Sequence, residues 1–122
     1  MPNFFLNRIR AFKFALKGIK VLSSETHFRV HIVIGLCTIA LGYVLKLSHT
    51  EWLIVLLCIG AVLSAEAFNS ALERVVDKIS PDYNIEAGKI KDTAAAAVLL
   101  LSIFVAIVGL LLFVPKMLLL LF

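Results

Sequence analysis

Residues 93–114, TAAAAVLLLSIFVAIVGLLLFV, run for 22 positions without a charged side chain or a histidine. That matches the roughly 20 apolar residues a helix needs to cross a bilayer core. In lipid the backbone has no water to bond, so a lone crossing segment of this kind has to satisfy itself as a helix. Two shorter uncharged runs precede it, residues 30–45 (16 residues, with His31 near the start) and residues 52–65 (14 residues). The first reaches spanning length by borrowing Phe28 and the snorkelling side chains Arg29 and Lys46. The second does so by continuing helically into the polar motif that follows it. With 61% hydrophobic and 16% charged residues in a chain of 122, a soluble fold of this size has too little interior to hide its apolar side chains. The expected fold is therefore all-α integral membrane, a single domain over residues 1–122, with spans at about 28–47, 52–79 (including an extension out of the membrane) and 93–114.

Charge placement orients these spans. Arg8, Arg10, Lys13, Lys17, Lys20 and Arg29 precede the first span, and Arg74, Lys78, Lys89 and Lys91 lie between the second and third. The 46–51 connection carries one Lys and one Glu, and only Lys116 follows the third span. The positive-inside bias puts the N-terminus and the 66–92 segment in the cytoplasm. Phe5, Ile9, Phe12, Leu16 and Ile19 recur at spacings of four and three, so residues 4–22 read as an amphipathic helix in the membrane interface, its basic groups facing anionic headgroups. A cleavable transit peptide has a similar pattern. A secretory signal does not fit, because charges interrupt the apolar stretch that one requires.

Gly18 and Ser23-Ser24 suggest a bend or capping point, with Ser24 as cap and Glu25 in the first turn of the next helix. No breaker follows Ala65 until Ser80-Pro81, so that helix should persist to about Ile79. SPDYN is a turn, IEAGKIKD a short amphipathic piece, and TAAAAV a run of small side chains suited to a helix–helix contact. Trp52 fits an aromatic anchor at the outer interface. Cys37 and Cys58 sit in apolar runs without neighbouring ligand types and read as small buried hydrophobes.

The chemistry lies in AEAFNSALERVVD, residues 65–77. At 100° per residue, Glu66, Asn69, Ser70, Glu73 and Asp77 fall at about 0°, −60°, +40°, −20° and +20° on one helix face. The bland reading is a solvated face emerging from the membrane, with Arg74 and Lys78 pairing locally. Against it, Glu66 directly follows its apolar run, where a carboxylate costs up to about 3 kcal/mol on insertion scales and usually has a function. Glu25 precedes the first span and Lys91-Asp92 the third, so every span brings charge to the same side. Carboxylates with a lysine suit Mg²⁺ on substrate phosphates, and a boundary glutamate suits proton removal from a lipid hydroxyl. Such parts suffice for phosphoryl transfer to a membrane alcohol. Neither a GxxxxGK[ST] loop nor a GxGxxG is present, and no nucleic-acid partner is expected. Two other classes fit the stripe alone: a small proton- or cation-conducting oligomer, and a structural membrane protein with an acidic docking face. The first lacks polar groups across the outer half, where only Ser64, Thr38, Tyr43 and a few small residues are available. The second leaves the depth of Glu66 unexplained.

ETHFR (25–29), EAFNSALERVVD (66–77) and AGKIKDTAAAAVLL (87–100) together resemble the small prokaryotic diacylglycerol kinases, a family that includes undecaprenol kinases. The likeness runs from about Ile9 to Lys116. The resemblance implies a homotrimer with a surface helix and three spans per subunit, and composite sites at the cytoplasmic face of the bacterial inner membrane. It implies ATP as co-substrate, Mg²⁺, and a lipid alcohol, undecaprenol or diacylglycerol, as acceptor. It assigns Glu66 as general base, Glu25 and Glu73 as carboxylates holding the metal on ATP, and Asn69 as a polar position of the site. Lys91, Asp92 and Asp77 fall on the nucleotide side, and Arg8 or Arg10 is the N-terminal basic group. His31 resembles the undecaprenol-using branch, where the diacylglycerol-using branch is acidic. His27 and Ser70 stand where the undecaprenol branch tends to have Asn and Thr. Tyr83 reads as an exposed loop residue.

Overall fold

A computed structural model describes residues 2–122. Those residues form four helices and no strand: α1 (Pro2–Leu22), α2 (Thr26–Val44), α3 (His49–Ile79) and α4 (Ile85–Leu121). The last three are long and apolar enough to cross a membrane. At 1.5 Å per residue α2 is about 28 Å long, close to a bilayer core of about 30 Å, whereas α3 and α4 reach about 46 and 55 Å. The two long helices therefore extend beyond the lipid, and they do so together, joined by the short 80–84 turn. α4 packs along α3 more extensively than α2 does.

The α2–α3 connection is tight. Lys46 takes φ 55°, the left-handed conformation that commonly ends helices, and Leu47 N–H returns to the Gly42 carbonyl at 3.1 Å. Leu47 is thereby buried with Val55 and Phe113, flanked by Trp52, Ile59 and Leu112. Gly42 is required here: a Cβ would stand 2.8 Å from Trp52 Cη2 and 2.9 Å from Leu47 Cδ1. Ser48 then opens α3 with a reciprocal cap, its Oγ accepting from Glu51 N–H while Glu51 Oε2 accepts from Ser48 N–H. The same carboxylate holds Lys116 of α4 at 2.9 Å.

Local expectations and structure part company at several points. α1 runs through Gly18 without a break. Glu25, not Ser24, is the N-cap of α2, and it makes no side-chain capping bond. The Ser23 and Ser24 hydroxyls instead donate backward to Lys20 and Val21 carbonyls at 2.6 Å, extending the end of α1. IEAGKIKD is not a separate piece: Asn84 caps α4 through Ala87 N–H, and the helix continues from there past Pro115. Cys37 is exposed, not buried, and Cys58 is only half-buried. Ala95, Ala96 and Ala97 face outward, away from the chain's own helix contacts.

The chain exposes 9440 Å², against about 6500 Å² for a compact soluble monomer of this mass. Much of the excess is apolar, and it needs lipid or another protein surface to cover it.

Candidate functional site at the Glu66 end of the bundle

The polar stripe of α3 lies where α2 begins and α4 has not yet entered its apolar run. Glu66 is 4% exposed, Asn69 9% and Ser70 3%, so the part nearest the apolar segment is buried. Glu73 is half-buried and Asp77 exposed, so the stripe grades outward into water along the helix.

Three groupings follow along it. Deepest, His31 of α2 places Nε2 3.7 Å from Glu66 Oε2, too long for a hydrogen bond. Among the described residues no other basic side chain comes within 4 Å of the Glu66 carboxylate. His31 also closes one end of an apolar groove of about 380 Å³ between α2, α3 and α4, whose walls include Ile34, Val62 and Ser102. One turn further out, Glu25 crosses from the start of α2 to α3. Its Oε2 accepts from Ser70 Oγ at 2.5 Å, and its Oε1 accepts from Arg74 Nη2 at 2.6 Å and Nε at 3.1 Å. The Ser70 hydroxyl first, then the Arg74 guanidinium, hold the Glu25 carboxyl below the ordinary carboxylate value. Beside them Asn69 Nδ2 donates to Glu73 Oε1 at 3.3 Å, while Asn69 Oδ1 is buried without a partner among the described residues. Outermost, Lys91 Nζ meets Asp77 Oδ1 at 2.8 Å. With Asp92, Ser80, Tyr83 and Asn84 they line a cup of about 350 Å³ at the α3–α4 turn.

The seven residues singled out by sequence thus lie along this one end of the bundle. Glu25 touches the stripe through Ser70, Glu73 is bonded to Asn69, and Asp77 and Lys91 are paired. Asp92 lines the cup without an ion pair among the described residues. The solvated-face alternative pairs Arg74 with carboxylates on its own helix; in the structure Arg74 pairs across helices with Glu25. Spacing along α3 carries no signal for this pair, since it places Arg74 beside Ser70 without showing that α2 brings Glu25 to both.

No three His, Cys, Asp or Glu side chains among the described residues are close enough to enclose a metal ion. The donors present are hard oxygens, two carboxylates beside a buried unpartnered amide oxygen. That set does not suit a closed protein cage, but it fits Mg²⁺ carried on phosphates, which typically takes one or two carboxylates and completes its shell with substrate and water.

Three helices long and apolar enough to cross a membrane, with carboxylates and a lysine gathered toward one end, describe a membrane-spanning helical protein. Residues 13–113 match the prokaryotic diacylglycerol kinase family model, and the chain belongs to that family of lipid kinases. It is 36% identical over 114 residues to undecaprenol kinase of Bacillus subtilis, covering 92% of this chain and 93% of that protein. It is 32% identical over 101 residues to diacylglycerol kinase of Haemophilus influenzae (82% and 86% covered) and 30% identical over 105 residues to that of Escherichia coli K12 (85% of each). A conducting or purely structural oligomer is not favoured.

Proposed function

We propose that this lipid kinase transfers the γ-phosphoryl group of ATP to the hydroxyl of undecaprenol, at the cytoplasmic face of the bacterial inner membrane. The observation that carries the reading is Glu66: a carboxylate buried where the apolar groove ends at His31, at the depth where the hydroxyl of a membrane lipid would arrive. The choice of lipid rests on His31, which resembles the undecaprenol-using branch, and is supported by the likeness to the Bacillus subtilis enzyme. Diacylglycerol is the alternative acceptor, favoured by the relatives that carry that name.

In this mechanism Glu66 takes the hydroxyl proton as the lipid oxygen attacks the γ-phosphorus in line. The new O–P bond forms as the bond to the β-phosphate bridging oxygen breaks, and ADP leaves with that electron pair. Glu25 and Glu73 hold Mg²⁺, which when bound neutralises charge on the phosphates. Asn69 offers its unpartnered oxygen beside Glu73. Lys91 offsets phosphate charge, while Asp77 and Asp92 with the cup at the α3–α4 turn seat the rest of the nucleotide. α1 lies on the membrane surface, its exposed Phe5, Ile9 and Phe12 toward lipid. The functional unit is a homotrimer with sites shared between subunits; the exposed Ala95–Ala97 face of α4 and the large uncovered apolar surface suit helix contacts with a second copy.

The test is transfer of label from γ-labelled ATP in mixed micelles with Mg²⁺, offering undecaprenol and diacylglycerol in separate reactions. Preferential labelling of undecaprenol is expected. Preferential labelling of diacylglycerol overturns the lipid assignment, and labelling of neither overturns the kinase chemistry.

A further inference from the structure

Among the described residues Arg74 is the one cation paired with either carboxylate assigned to the metal, and it meets a single oxygen. Ser70 and Arg74 divide Glu25 between them: the hydroxyl takes Oε2, and two guanidinium N–H groups take Oε1. The two contacts differ in kind. Ser70 is neutral and leaves the charge of Glu25 in place, so its bond persists when a cation approaches the other oxygen. Arg74 cancels that charge and occupies the oxygen itself. Its side chain is 58% exposed against 24% for Glu25, so it can swing away into water while Glu25 stays pinned at the start of α2. Among the described residues Nη1 makes no hydrogen bond, which leaves part of the donor fork open for a second anion.

We propose that Arg74 is a positioning residue that acts through Glu25 as a resident counter-ion, making metal entry depend on nucleotide. The inference rests on the proposed roles of Glu25 and Glu73. Without nucleotide, a divalent cation meets a pair of carboxylates of which one is already neutralised, and has to displace a guanidinium held by two bonds. When phosphates arrive with the metal, the displaced guanidinium gains an anion suited to its fork geometry. The exchange then conserves the count of charge pairs.

The probe is Mn²⁺ without nucleotide, its binding to the full-length detergent-solubilised protein read by the electron paramagnetic resonance of free Mn²⁺. Arg74→Gln should tighten Mn²⁺ binding by about fivefold, the equivalent of the ~1 kcal/mol upper range for a partly exposed ion pair. Arg74→Lys should stay near the wild type, and metal-free ATP binding, measured in EDTA, should weaken in Arg74→Gln. A merely structural role lowers both affinities together. In a Glu25→Gln background the Arg74→Gln gain should vanish. Unchanged or weaker Mn²⁺ binding in Arg74→Gln overturns the proposal, as does a gain that survives loss of Glu25. Ser70→Ala frees Glu25 without changing charge, so tighter Mn²⁺ binding in that variant also overturns it. This holds even if Arg74→Gln does not fold. Failure of the kinase reading is distinguishable, because it appears in the wild type as unlabelled lipid whatever the Mn²⁺ data show.

Discussion

Glu66→Gln separates chemistry from folding, because the structure gives the two effects different signs. The side chain is 4% exposed, and glutamine replaces it at nearly the same volume, so no cavity opens. What disappears is a buried carboxylate whose one basic neighbour within 4 Å, among the described residues, is His31, with Nε2 at 3.7 Å. A buried carboxylate without a close cation is a cost to the fold; near the membrane boundary that cost is at most about 3 kcal/mol on insertion scales. The neutral amide removes it, so the thermal midpoint in detergent should hold or rise. Catalysis should move the other way. General-base assistance contributes about 10²- to 10⁴-fold, or about 3–5 kcal/mol of barrier at 1.36 kcal/mol per tenfold. The assay pairs initial rates of lipid phosphorylation at saturating ATP with thermal unfolding of the same preparation, and the KM for ATP should stay within a few-fold. A kcat within about tenfold of wild type refutes the base assignment. A rate loss that tracks a lowered midpoint refutes it equally, since misfolding then explains both.

Gly42→Ala adds a methyl group 2.8 Å from Trp52 Cη2 and 2.9 Å from Leu47 Cδ1. It should lower stability by about 1–3 kcal/mol through overpacking, and an unchanged thermal midpoint in detergent would show that the α2–α3 corner is looser than described. Glu25 gives a pH signature. Its carboxyl is held below the usual 4.5 by Ser70 and Arg74, so its contribution to docking α2 on α3 is complete above that value and is lost as pH falls through the lower native one. The stability gap between wild type and Glu25→Gln should therefore be constant from neutral pH to about pH 5 and close in stronger acid. A gap that persists there removes ionisation of Glu25 from the account.

The length of the apolar runs carried the three spans and helical periodicity the polar stripe, because both are properties of one helix at a time. α3 ends at Ile79 as the absence of breakers before Ser80-Pro81 implies, and the graded burial from Glu66 to Asp77 follows from a straight helix leaving an apolar run. Partner choice between helices was not legible. Arg74 could satisfy a carboxylate on its own helix equally well by spacing; only the position of α2 delivers Glu25 to it. Ser24 failed as a cap for a related reason. Its hydroxyl had a nearer acceptor in the last turn of α1, and short polar side chains take whichever local backbone group is open. α4 runs through Pro115 to Leu121: a proline removes a single backbone donor, and the other helix bonds carry the chain on. The outward turn of Ala95–Ala97 was hidden too, since a small-residue face suits a helix contact without saying whose.

α3 is also a measuring rod. Asp77 lies eleven positions after Glu66, which at 1.5 Å per step sets about 16 Å between the lipid end and the nucleotide end of the proposed site. Both ends are mounted on one uninterrupted helix, so their spacing does not depend on a hinge, a lid or the closing of two lobes. On the proposed reading, acceptor and donor can consequently diverge separately: changes around His31 would retune which alcohol is taken while the cup at the far end keeps its address. A single inserted residue between positions 66 and 77 would be far more disruptive than most substitutions, since it turns one end by 100° relative to the other.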